Sequence, residues 1–86
     1  MKQFDYIIKA PDGIYAEPAV MLGKKVKEFD GTKVTVSKGE SSALATMLLG
    51  LIELEAHCGD KITFTCEGGD EEGACIALQQ LVSETL

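Results

Sequence analysis

The chain has no arginine and no tryptophan, only one histidine, and two prolines among 86 residues. Without arginine there is no planar guanidinium fork to grip a phosphate or carboxylate through two parallel hydrogen bonds. Eight basic residues against fourteen acidic ones leave a net charge of −6. That balance argues against a nucleic-acid partner, because such binding rests on neutralising backbone phosphates. Cys58, Cys66 and Cys75 are odd in number and show no paired ligand spacing. A disulfide framework and a metal site are therefore not expected, and buried free thiols in a reducing cytosol are. No apolar run approaches the roughly 20 residues of a membrane span. Met1–Asp5 lacks the apolar core of a signal peptide. The expected location is the cytoplasm, with no membrane partner. A Ser-His-Asp set and a glycine-rich phosphate loop are missing too, so neither an enzyme nor a cofactor is expected.

The remaining composition is ordinary for a small globular protein, with 45% hydrophobic residues. We read residues 1–86 as a single domain. Its charges are unevenly spread. Lys24, Lys25 and Lys27 cluster, and Asp70, Glu71 and Glu72 form an acidic run. An acidic partner could meet the lysine patch.

Hydrophobic periodicity divides the chain into seven elements. Phe4, Tyr6 and Ile8 alternate along a first strand, which Pro11-Asp12-Gly13 breaks with turn chemistry. Residues 16–29 predict a helix, because Ala19, Leu22, Val26 and Phe29 recur at helical spacing. Pro18 falls in its first turn, where a missing N–H is tolerated. Glu17 suits the positive end of the helix dipole and Lys24, Lys25 and Lys27 the negative end. Val34 and Val36 mark a strand over 33–37, followed by a turn at Lys38-Gly39 and a short strand around 40–43. Leu48, Leu49, Leu51, Ile52 and Leu54 predict a helix over 46–56, closed by Cys58-Gly59-Asp60. Ile62, Phe64 and Cys66 alternate with Thr63, Thr65 and Glu67 along the clearest strand. Gly68-Gly69 then leads into a helix over 70–83, with Ala74, Ala77, Leu78 and Leu81 inward.

The order is β-α-β-β-α-β-α. Strands with one apolar face, separated by amphipathic helices, point to an α+β fold: an antiparallel sheet covered on one side. The other face, carrying Thr35, Thr63 and Thr65, would meet water.

One motif carries more than fold information. Residues 13–19 read Gly-Ile-Tyr-Ala-Glu-Pro-Ala. The segment resembles the active-site signature of HPr, the phosphocarrier of the bacterial sugar phosphotransferase system, in which the pattern is Gly-Ile-His-Ala-Arg-Pro-Ala. Gly13, Ile14, Ala16, Pro18 and Ala19 match. The resemblance extends to the element order, to Gly39 in a turn, and to Gly68-Gly69-Asp70-Glu71-Glu72 after the last strand. It implies the family's open-faced sandwich, a four-stranded antiparallel sheet under three helices. It also implies that Tyr15 stands where the family has its phosphorylated histidine, and Glu17 where it has an arginine.

Those two exchanges remove the chemistry the resemblance implies. An imidazole titrates near ~6.5 and attacks phosphorus through a ring nitrogen. A phenol keeps its proton at neutral pH, and its oxygen lies farther from the backbone donors of the helix start. A carboxylate in place of a cation repels an incoming phosphoryl group. At ~4 Å the repulsion is on the order of 1 kcal/mol in water and about 4 kcal/mol at an effective dielectric of 20. The expected protein is an HPr relative that binds and regulates, with no catalytic residue at Tyr15 or Glu17; the alternatives are a switch phosphorylated by HPr kinase on a hydroxyl such as Thr46, or an HPr-type phosphocarrier that uses another acceptor.

Partners implied by the resemblance are Enzyme I, sugar-specific phosphotransferase subunits, HPr kinase or a transcriptional regulator. The docking surface would come from Val20, Met21, Met47, Leu48 and Leu51, flanked by Lys24 and Lys27. A competing reading puts Leu48 and Leu51 in the core. The family's regulatory serine opens the second helix. Counting from the N-terminus puts Thr46 there, and matching the apolar pattern with Gly50 puts Met47 there. Thr46, with Ser41 and Ser42 nearby, is the candidate hydroxyl for regulatory phosphorylation. His57 is expected as a surface or capping histidine near the end of the second helix.

Overall fold

The computed structural model describes residues 1–86. Alternating apolar residues build strands β1 (Lys2–Ile7), β2 (Lys33–Lys38), β3 (Ser41–Leu44) and β4 (Lys61–Glu67). They form one antiparallel sheet in the order β1-β4-β2-β3. Helices α1 (Ala16–Lys27), α2 (Leu48–Glu53) and α3 (Glu71–Thr85) complete the expected β-α-β-β-α-β-α order. Helix α3 lies across β1 and β4, α1 packs between α3 and α2, and α2 meets β3.

The period of two sorts the sheet's side chains. Val34 and Val36 of β2 and Ile62, Phe64 and Cys66 of β4 are buried against the helices. Phe4 stands opposite Phe64, and their rings stack at 4.8 Å. Thr35, Thr63 and Thr65 occupy the other face, where Thr63 donates to Asp5 and Gln3 donates to Thr65. The helices supply Leu22, Val26, Leu51, Leu78 and Val82 to the same core. Fully burying a side chain of this size contributes roughly 1.5–3 kcal/mol.

Element ends follow local chemistry. Asp70 caps α3 by accepting from the Gly73 N–H at 3.0 Å. Helix α1 stops at Lys27 rather than 29, where the Phe29 N–H turns to the Val26 carbonyl. The second helix is much shorter than the expected 46–56. Met47 is its N-cap, Leu54 its C-cap, and Glu55 adopts φ +52°, which no helix continues. Leu54 is still buried, so its place in the apolar pattern reports packing and not helix length. One thiol departs from expectation. Cys66 and Cys75 are buried, but Cys58 is exposed in the turn after α2.

Candidate functional site

The β1–α1 loop is held in place by the residues that follow α2. Gly13 has φ +64°, and a Cβ there would lie 2.2 Å from the Ala56 carbonyl oxygen and 2.9 Å from the His57 Cα. Only glycine fits so close a backbone approach. The next N–H, from Ile14, donates to that same Ala56 carbonyl at 3.0 Å, and the Ile14 side chain is buried. Pro18 and Ala19 are buried in the first turns of α1. Four of the five matched signature residues therefore have an architectural reason to be there, and Ala16 is exposed.

Tyr15 is the N-cap of α1, with extended backbone and no side-chain capping bond. Its carbonyl accepts from the Ala19 N–H at 3.1 Å, which starts the helix. The Ala16 and Glu17 N–H groups precede the first intrahelical donor and point out of the helix end. The Tyr15 ring and Glu17 are both exposed beside them.

Helices α1 and α2 lie next to each other, and Gly23 makes this close. A Cβ at Gly23 would stand 3.5 Å from the Ala45 carbonyl and 3.9 Å from the Thr46 Cα. Val20, Met21, Met47 and Leu48 are exposed, as are Lys24 and Lys27. Leu51 is not. Its exposure is 0%, so it is a core residue and cannot contact a partner. Its i,i+3 neighbour Leu48 is exposed, and Leu51 is the one residue that the six-residue helix buries. Two further apolar residues of α2 are exposed. Leu49 is 72% exposed and Ile52 is at the margin. The unbroken Leu-Leu run was the available signal, since one face of a six-residue helix cannot bury it all.

Thr46 is exposed and sits one residue before the α2 N-cap, and Met47 occupies the cap itself. Ser41 and Ser42 lie in β3.

His57 is neither on α2 nor capping it. The turn at Glu55 carries the chain off the helix axis and lays His57 against Gly13. Asp60 organises this segment. Its Oδ2 accepts from the His57 N–H at 2.8 Å, lies 3.1 Å from the Lys38 ammonium, and is 3.9 Å from His57 Nδ1. The His57 N–H and then the Lys38 ammonium hold the Asp60 carboxyl below the usual carboxylate range. Lys38 also donates to the Glu55 carbonyl at 2.7 Å, fixing the strained residue. The Ile8 N–H donates to the Asp60 carbonyl, the Gly59 N–H donates to the Ile8 carbonyl, and Cys58 Sγ contacts the Lys9 carbonyl. The 55–60 segment is thus stitched to both sides of the β1–α1 loop, a long-range arrangement that Cys58-Gly59-Asp60 alone does not announce.

No helix is long and apolar enough to cross a membrane, and no cluster of three or more potential ligands could hold a metal ion.

Comparison with known proteins agrees with this geometry. Residues 2–84 match the family model PTS-HPr, described as the PTS HPr component phosphorylation site. The chain is 34% identical to the phosphocarrier protein HPr of Borreliella burgdorferi over 82 residues, covering 95% of this chain and 94% of that one. It is 32% identical to HPr of Mycoplasma genitalium over 79 residues, covering 92% and 90% respectively. A solved structure of HPr-C-His from Thermoanaerobacter tengcongensis superposes with a TM-score of 0.90 at 28% identity, covering 98% of this chain and 93% of that one. Those relatives are carriers and not enzymes. Sheet order, signature loop and full-length similarity converge: this chain belongs to the HPr family of the bacterial phosphotransferase system.

Proposed function

We propose that this HPr-family protein acts as a binding and regulatory component of the phosphotransferase system in the cytoplasm, without relaying phosphate through position 15. The observation that carries the reading is the composition of the α1–α2 face. It keeps an exposed apolar surface in Val20, Met21, Met47, Leu48 and Leu49, yet places a phenol and a carboxylate at the α1 start. The docking surface and the chemical group are separable, and only the first is retained. Enzyme I and the sugar-specific subunits are the partners this face suits, with Lys24 and Lys27 meeting acidic groups at its far end. Met47 and Met21 favour adaptable packing against more than one partner.

The test is titration of isotopically labelled protein with Enzyme I and with sugar-specific subunits. Binding should perturb amides of 15–27 and 46–52 selectively, and Leu48→Ala should weaken it. No perturbation with any of these proteins would refute the reading. Tyr15→His combined with Glu17→Arg should then add a phosphoryl group at position 15 from phosphoenolpyruvate and Enzyme I.

A second reading has one specific observation behind it. Thr46 is an exposed hydroxyl immediately before an uncapped helix start. Phosphorylation there by HPr kinase would place negative charge at the positive end of α2. Intact-protein mass after incubation with HPr kinase and ATP decides it: one added phosphate, lost in Thr46→Ala, supports the switch, and an unchanged mass removes it.

A further inference from the structure

The start of α1 carries unbalanced negative charge, and it borders the exposed apolar face. We propose that Glu17 makes docking on this face depend on the partner's phosphorylation state: the chain binds the unphosphorylated form and turns away the phosphorylated one. This rests on the docking reading above and adds its regulation.

The local charge is one-sided. Between Lys9 and Lys24 the chain holds Asp12 and Glu17 and no cation, and both carboxylates are exposed. Glu17 is the second residue of α1 and enters no ion pair. Lys24 follows seven residues later, roughly 10 Å along the helix axis. That is about one Debye length at physiological salt, so Lys24 leaves Glu17 unneutralised. Lys38 reaches the adjoining 55–60 segment, but the Asp60 carboxylate neutralises it there at 3.1 Å. His57, whose backbone meets Gly13, stands beside the same carboxylate.

A partner that hands a phosphoryl group to a phosphorylation site at the signature loop must hold that group at the α1 start. The group brings about two negative charges at neutral pH. The free N–H groups of Ala16 and Glu17, with the helix dipole behind them, offer about half a positive charge. Glu17 places a full negative charge in the same turn, which leaves a net of about half a negative charge. No guanidinium exists anywhere in the chain to reverse that sign. The carboxylate therefore outweighs the helix end, and a phosphorylated partner meets repulsion where an unphosphorylated one does not.

The far end of α1 has the opposite sign. Lys24, Lys25 and Lys27 occupy its last turn, and Lys24 and Lys27 are exposed. Val20 and Met21 are exposed between the two ends. The partner that fits has acidic groups opposite Lys24 and Lys27, an apolar surface opposite Val20 and Met21, and no anion opposite Glu17. Attraction at the lysine end is the same for both forms of such a partner, so the discrimination comes from Glu17.

The experiment titrates the full chain with Enzyme I, once unphosphorylated and once kept phosphorylated by excess phosphoenolpyruvate, and reads both dissociation constants by fluorescence anisotropy. The phosphorylated form should bind roughly three- to tenfold more weakly, as two charges facing a half to a full charge at ~6 Å in water imply. Glu17→Gln should abolish the preference, and Glu17→Lys should reverse it. Glu72→Gln makes the same change in net charge at the start of α3, whose other end meets the β1–α1 loop through Leu86. It should leave the ratio as in the unsubstituted chain. Equal affinities, or tighter binding of the phosphorylated form, overturn the proposal and leave the docking reading intact. So does a preference that persists in both Glu17 variants, or one that Glu72→Gln abolishes as well. Binding of neither form overturns the proposal and the Enzyme I part of the docking reading together.

Discussion

Replacing Gly13 by alanine should be among the most damaging single-methyl changes available to this chain. The position has φ +64°, where an L-residue costs roughly 1–2 kcal/mol. The added Cβ would also meet the Ala56 carbonyl oxygen at 2.2 Å, a backbone atom with no flexible end to swing aside. Moving Ala56 breaks the Ile14 N–H bond to it, worth about 1 kcal/mol net. The two contributions give about 2–3 kcal/mol before any strain from displacing His57. For a domain this small, each kcal/mol lowers Tm by roughly 4–8 °C. The drop should therefore be at least ~8 °C, read by circular dichroism melting and by urea titration. Gly39→Ala supplies the control. That turn glycine has φ +58°, but nothing lies within 4 Å of its would-be Cβ. It should lose only the dihedral cost. Equal destabilisation of the two variants would refute the claim that the 55–57 segment braces the signature loop.

Other outcomes follow from the same structure. Leu51→Ala should cost about 2–5 kcal/mol, because Leu51 is fully buried; Leu49→Ala, at an exposed position, should stay within about 0.5 kcal/mol in the same melts. The Asp60 carboxyl is depressed by the His57 N–H and Lys38, and the Glu71 carboxyl by the N-terminal ammonium and then the Gly68 N–H. Groups lowered in the folded state contribute stability that is present above their unfolded pKa and lost as pH falls through the folded one. Tm should therefore decline from about pH 4 downward, and Asp60→Asn should flatten part of that decline. In the native protein a thiol reagent should modify Cys58 alone, because Cys58 is exposed. Burial and then the neighbouring Cys75 push the Cys66 thiol up to about 11, so Cys66 should react only after denaturation.

The sequence pattern carried the fold nearly whole, and the reason is physical. Val34, Val36, Ile62, Phe64 and Cys66 alternate because one sheet face is covered and the other is not. Leu22, Val26, Leu78 and Leu81 repeat at helical spacing for the same cause. The second helix was read too long because Leu54 belongs to the apolar pattern but sits past the end of the helix. Periodicity registers which residues are buried, and burial continues through the turn that Glu55 makes. Leu51 was drawn into the docking surface by a related ambiguity, since an apolar residue on a short helix can face either way until the sheet beneath it is in place.

The candidate site divides along the same line. Tyr15 and Glu17 were legible because their signature is contiguous and its other residues are fixed by architecture: Gly13 by a backbone contact, Ile14, Pro18 and Ala19 by burial. His57, Asp60 and Lys38 were not legible as a group. Their assembly depends on the Ile8–Asp60 and Ile14–Ala56 bonds and on Lys38 reaching Glu55 and Asp60 from a different strand. No local spacing encodes such a contact. The glycine at position 13 is the one residue that records it, because its missing side chain is the space that the 56–57 backbone fills. The side chain at position 15 takes no part in that contact, so the loop keeps its shape whatever group the helix start carries.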